Sequence, residues 1–155
     1  MQVFKSIYIL ALAAQALATQ TRYQFFAKSD FDQINGHGLT YIHEGAAIDY
    51  FFVQNDTSTS AAVLTYDDQQ QKFFFQVTPQ LELNLTKGGD ILSLSSGDPL
   101  KVTIGDDGNV SFDGSDVLHA VDHLKIPNGG DDYAVIVGDF EGGFQFSIEA
   151  REYEP

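Results

Sequence analysis

Gly97–Gly114 reads GDPLKVTIGDDGNVSFDG. Leu100, Val102 and Ile104 alternate with Lys101 and Thr103, which is the period-two pattern of a half-buried strand. Gly105-Asp106-Asp107-Gly108 then interrupts the alternation. Asp-Gly predicts a tight primed turn, because such turns need positive φ. Val110 and Phe112 alternate on the return strand, and Asp113-Gly114 closes it. The stretch is a strand–turn–strand hairpin, and it says more about fold than about chemistry.

Outward from it, most of the chain after residue 38 repeats the theme. Twelve short strands are expected from there on: Leu39–His43, Asp49–Val53, Ala62–Tyr66, Lys72–Val77, Leu81–Leu85, Ile91–Leu94, Leu100–Ile104, Asn109–Phe112, Val117–His119, His123–Ile126, Tyr133–Val137 and Phe144–Ile148. Tyr23–Phe26 is a further candidate at the start. Thr78-Pro79, Gly88-Gly89, Pro127-Asn128-Gly129-Gly130 and Glu141-Gly142-Gly143 supply the turns between them. No segment carries a sustained helical stripe, although Val117–Leu124 has an alternative reading as one or two helical turns. An internal repeat aligns Gly45 with Gly97, setting Ile42 over Leu94, Ile48 over Leu100 and Tyr50 over Val102, with a third copy near Gly130. The expected fold is a single all-β domain of about twelve short strands. A β-trefoil stands ahead of a β-sandwich or jelly roll.

At the N-terminus, Lys5 precedes an apolar run from Ile7 to Ala18, shorter than the roughly 20 residues a membrane span requires. Ala16-Leu17-Ala18 places small residues where a signal peptidase cuts. Residues 1–18 read as a secretory signal peptide and 19–155 as the secreted domain. The closing GGFQFSIEAREYEP has no apolar tail, so no GPI anchor or membrane span is expected.

Acidic residues number 22 against 8 basic ones, for a formal charge of −14. Phosphate backbones and anionic membrane surfaces are repelled, which removes nucleic acid as a partner. With 13 Phe and 7 Tyr the chain has material for a substantial core. The absence of cysteine excludes disulfides, zinc thiolates and Cys nucleophiles together.

Candidate sites are few. In a secreted chain the sequons at Asn55, Asn84 and Asn109 are expected to be glycosylated at the surface. His119 and His123 have the i, i+4 spacing of a helical zinc pair, but Ala120 stands where the metalloprotease pattern needs Glu. Asp107–Asp113 alternates oxygen-bearing residues as a calcium loop does, yet Phe112 occupies the place that requires Gly. Phe73-Phe74-Phe75 reads as a strand covered on both faces. Its alternative is an aromatic surface of Phe74 with Tyr50 or Tyr66 that stacks on sugar rings. No nucleophile elbow occurs, and no cofactor is expected.

Three stretches resemble fungal cell-wall proteins, namely the phialide-type secreted wall proteins and the N-terminal ectodomain of yeast glucan-linked mannoproteins. Ile42-His43-Glu44-Gly45-Ala46-Ala47-Ile48 running into Phe52-Val53 is similar to their entry motif. Leu100–Ile104 with Asp107-Gly108 and Val110–Phe112 is similar to their central hairpin. Tyr133–Val135 with Gly142–Ala150 is similar to their closing strands. His43-Glu44 replaces the usual Arg-Ser. The resemblance implies a secreted wall or extracellular-matrix glycoprotein with a structural or developmental, non-catalytic role. Its partners would be wall polysaccharide or other wall proteins. The alternative is a β-trefoil-like carbohydrate-binding module or hydrolase inhibitor.

Overall fold

The computed structural model describes residues 19–155 except Ala46, Ser58, Thr59, His123, Lys125 and Pro127. The expected signal segment and His123 therefore lie outside the described residues. Twelve strands and no helix occur among those described. They are β1 (Gln20–Lys28), β2 (Leu39–His43), β3 (Asp49–Val53), β4 (Val63–Asp67), β5 (Lys72–Thr78), β6 (Leu81–Gly88), β7 (Ile91–Ser95), β8 (Val102–Ile104), β9 (Asn109–Phe112), β10 (Leu118–Val121), β11 (Tyr133–Val137) and β12 (Phe144–Glu152).

All strands belong to one antiparallel sheet. β1 pairs with both β4 and β12, bringing the two ends of the domain side by side (Phe25 opposite Ala150, Tyr23 opposite Leu64). β4 continues to β5, β12 to β9, and β9 to β8. β8 comes back to the start of β5, where Val102 N–H donates to the Gln71 carbonyl at 2.8 Å. The Tyr66 hydroxyl on β4 donates to the Val102 carbonyl at 2.7 Å. Six strands, β1, β4, β5, β8, β9 and β12, thus run in a closed circuit. The other six form three pairs, β2–β3, β6–β7 and β10–β11. Their later strands meet: Tyr50 of β3 lies opposite Ser93 of β7, Ala134 of β11 opposite Phe52 of β3, and Ile136 opposite Ile91.

The interior follows the period-two pattern. Phe146, Ile148 and Ala150 of β12 are buried, while Ser147 and Glu149 between them are half-buried and Gln145 and Arg151 on either side are exposed. Phe25 packs edge-on to Phe73 at 4.7 Å between ring centroids and lies near Phe51 at 6.5 Å. Leu85, Leu94, Val110, Leu118 and Val135 complete this aromatic centre with no exposed surface.

Four expectations need correction. The first strand is far longer than Tyr23–Phe26. Its alternation is masked because Phe26, on the outer face, is covered by the Arg151 guanidinium 4.0 Å from the ring centroid. Leu124 and Ile126 are not in a strand, so His123–Ile126 is not one of the twelve. Val117–Leu124 is not helical, since Leu118–Val121 is a wholly buried strand between β11 and β12. The repeat is out of step by one strand, because it sets the paired strands β2 and β3 over β7 and β8, which are not neighbours in the sheet, whereas β6 and β7 are. The alignment on Gly97 matched apolar alternation, which is the same in neighbouring strands and does not fix which strands correspond.

Candidate functional site

The residues singled out from the sequence do not converge. On β4, the Tyr66 ring packs against Phe73 at 4.8 Å and Tyr23 at 6.4 Å, and its hydroxyl is spent on the Val102 carbonyl. Burial, followed by the Asp68 carboxylate, Tyr23 and Asp67, pushes that hydroxyl above its ordinary value of 10.0. Phe74 on β5 is only 5% exposed, beneath the Lys72 ammonium at 5.4 Å from its centroid. Lys72 is itself held by Glu82 and by the Asn84 side-chain oxygen. Phe74 therefore offers no open ring face, and the Phe73–Phe75 run is the doubly covered strand. Tyr50 is half-buried on β3, away from the β4–β5 pair.

His119 is buried on β10, and its Nδ1 donates to the Gly138 carbonyl at 2.9 Å. Among the described residues no group of three or more His, Asp or Glu is placed to hold a metal ion.

The three sequons sit in different surroundings. Asn55 and Thr57 are exposed just after β3. Asn84 lies within β6, its amide donating to the Gly97 carbonyl at 3.1 Å, and Thr86 is 5% exposed and bonded to Ser93 and Ser95. Asn109 opens β9, with its amide donating to Asp116 at 3.1 Å.

A concavity lies elsewhere, where the end of β1, the start of β12 and the connection between β9 and β10 come together. It is a cleft of about 520 Å³. Phe31 stands on its rim, 41% exposed, among Lys28, Asp30, Asn35, Asp116 and Gln145. The loop after β1 that presents Phe31 is stapled from several sides. The Ser29 hydroxyl donates to the Gln145 carbonyl at 2.7 Å and accepts the Phe31 N–H at 3.1 Å. The Asn35 side-chain oxygen accepts the Ser29 N–H at 3.0 Å. The Phe31 carbonyl accepts N–H bonds from Ile34 and Asn35, and Ile34 is fully buried as the loop's anchor. The Phe31 ring rests 5.0 Å from Phe144, which packs edge-on to Tyr133 at 5.7 Å.

Sequence reasoning passed over Phe31 because Ser29, Asp30, Asp32 and Asn35-Gly36 read as an ordinary polar loop. The signal was there in SDFDQING: a single large aromatic between two aspartates, in a segment with no strand pattern to bury it.

Three curated proteins of Candida albicans match the chain. The cell wall protein RHD3 is 39% identical over 127 residues, covering 79% of this chain and 60% of its own length. The cell wall protein PGA30 is 34% identical over 157 residues, covering 97% of this chain and 55% of itself. The cell wall protein PGA31 is 33% identical over 157 residues, covering 97% of this chain and 53% of itself. The chain is thus similar to fungal cell-wall proteins. That agrees with the resemblance read from the hairpin motifs and with a secreted, extracellular or wall location. The chain spans between 53% and 60% of the length of these wall proteins. No family model matches it, and no solved structure does.

Proposed function

We propose that residues 19–155 form a secreted β-trefoil domain with a non-catalytic, structural role in the fungal cell wall, released from its leader by cleavage after Ala18. The observation that carries the wall role is the 33–39% identity to three proteins named for the cell wall. The trefoil reading is supported by the pairing pattern. A closed circuit of six strands and three hairpins fits three successive four-strand units, β1–β4, β5–β8 and β9–β12. Each unit contributes two circuit strands and one hairpin whose later strand meets the other two. Of the sequons, Asn55 is the favoured acceptor, because its side chain and that of Thr57 face solvent, whereas the Asn84 amide is engaged within the sheet.

The test is fractionation of a fungal host expressing the full chain with an internal epitope tag in the exposed Thr78–Gln80 turn. The domain is expected in the wall fraction, released by salt or detergent without glucanase, with a new N-terminus at Thr19 and a glycan that Asn55→Gln removes. Recovery only from the cytosol would overturn the reading.

A further inference from the structure

We propose that the cleft beside Phe31 binds a segment of an uncharged wall polysaccharide, an inference that rests on the wall reading above and names the partner. Four features of the cleft favour this occupant. First, Phe31 is a large apolar side chain kept in solvent by construction. Its backbone is fixed through Ser29 and Ile34, and one side of its ring leans on Phe144. A fixed, exposed ring presents a flat apolar surface with little conformational entropy left to lose on binding, and the C–H face of a pyranose complements it.

Second, the residues that line the cleft with Phe31 include several with hydroxyl-binding chemistry. Asp30 and Asp116 carry acceptor oxygens, Asn35 and Gln145 carry both donors and acceptors, and Lys28 carries donors. The Asn35 oxygen is engaged by the Ser29 N–H and one Asp116 oxygen by the Asn109 amide, and the polar capacity that remains suits a polyol better than an apolar ligand. Third, the volume of about 520 Å³ falls within the range of small-ligand sites, and the cleft opens to solvent, so a polymer can enter without an end. Fourth, charge selects among polymers. Two aspartates face one lysine at the cleft on a chain of formal charge −14, so polyanions are repelled and a neutral glycan is not.

The experiment titrates the purified secreted chain with hexasaccharides of β-1,3-glucan, mannan and chitin by calorimetry. Saturable binding to at least one is expected, and the three arms identify which. Phe31→Ala is expected to weaken that binding by about tenfold, the scale of losing one aromatic stack. Phe31→Trp should retain it. Phe140→Ala, which removes another exposed ring (38%) beside His119, should leave it unchanged. Far-UV circular dichroism of each variant reports its fold, and the Trp variant reads the site even if the Ala variant is perturbed. No saturable binding to any arm, or equal affinity in wild type and Phe31→Ala, overturns the cleft. If the wild type is nonetheless recovered from the wall, the wall reading stands without the cleft. If it is absent from the wall, the wall reading itself falls.

Discussion

At the residue scale, the two Asp-Gly pairs of the opening stretch behave differently, and local sequence does not tell them apart. The primed turn expected at Asp107-Gly108 forms instead at Asp113-Gly114. There both φ angles are positive (50° and 88°), and Phe112 and Ser115 exchange backbone hydrogen bonds of 2.7 and 3.0 Å. At the first pair Gly108 alone has positive φ, at 85°, and its N–H donates to Gly105 across a longer loop. A Cβ on Gly108 would lie 2.8 Å from the Ala150 carbonyl of β12, whereas one on Gly114 meets nothing within 4 Å. Gly114→Ala should therefore cost about 1 kcal/mol from backbone strain alone. Gly108→Ala should cost at least about 2 kcal/mol, because β12 must also move. Urea unfolding midpoints check the order, and equal losses would show that the β12 contact is unimportant. Tyr66 carries a pH dependence of definite sign. Its raised hydroxyl keeps its proton to higher pH in the folded chain than in the unfolded one. The unfolded chain thus loses the proton first, so stability is complete below pH 10 and falls as pH rises through the folded value. Tyr66→Phe should cost about 1 kcal/mol at neutral pH, by stranding the Val102 carbonyl. It should also make the alkaline decline shallower, though not abolish it, because Tyr23 and Tyr41 are shifted the same way. Thermal midpoints between pH 7 and pH 11 read both effects.

At the element scale, the loop following β1 behaves as a built structure although its composition is that of a connector. Ile34 has no exposed surface and is the only apolar residue of the loop inside the core. Ile34→Ala should cost about 2–4 kcal/mol. It should also loosen the loop enough to raise proteolytic cutting near Asp30–Gln33, read by limited proteolysis alongside urea unfolding. A loss confined to stability, with the loop still protected, would show that the Ser29 and Asn35 hydrogen bonds hold it alone. How much was legible differs between elements. β2, β3, β9 and β11 were readable to the residue, because short runs rich in aromatic and β-branched residues lie between clear turn signals. β1 and β10 were not, because apolar or covered side chains on both faces erase the alternation. Phe31 was legible as an oddity but not as part of a cleft, since its neighbours Asp116 and Gln145 come from distant parts of the chain.

At the scale of the whole molecule, the pairing of β1 with β12 closes the circuit and places residues 23–28 against 147–152. Tyr153 N–H also donates to the Arg22 carbonyl at 2.8 Å. The ends of the described domain are thus close enough for a short linker. A circular permutant of residues 19–155, joined through such a linker and reopened between Pro79 and Gln80, should fold in one cooperative urea transition. The reopened turn lies at an exposed tip, flanked by Val77 at 45% and Leu81 at 39% exposure, so little packing is lost there. A permutant lacking cooperative unfolding would contradict the closed circuit. Closure also positions the candidate site, since β1 and β12 form two sides of the Phe31 cleft and their register sets Lys28 opposite Ser147.

The sequence by itself determined the all-β class, most strand positions, the acidic and cysteine-free character, and the likeness to wall proteins. These depend on alternation, turn chemistry and composition, which are local. Only the tertiary structure decided which Asp-Gly pair takes the primed turn, which strands share the three-hairpin junction, that Phe74 is covered, and that Phe31 faces a cleft. Each of these depends on contacts between residues far apart in the chain. Period-two alternation says which face of a strand is buried, but it carries no information about which strand lies opposite.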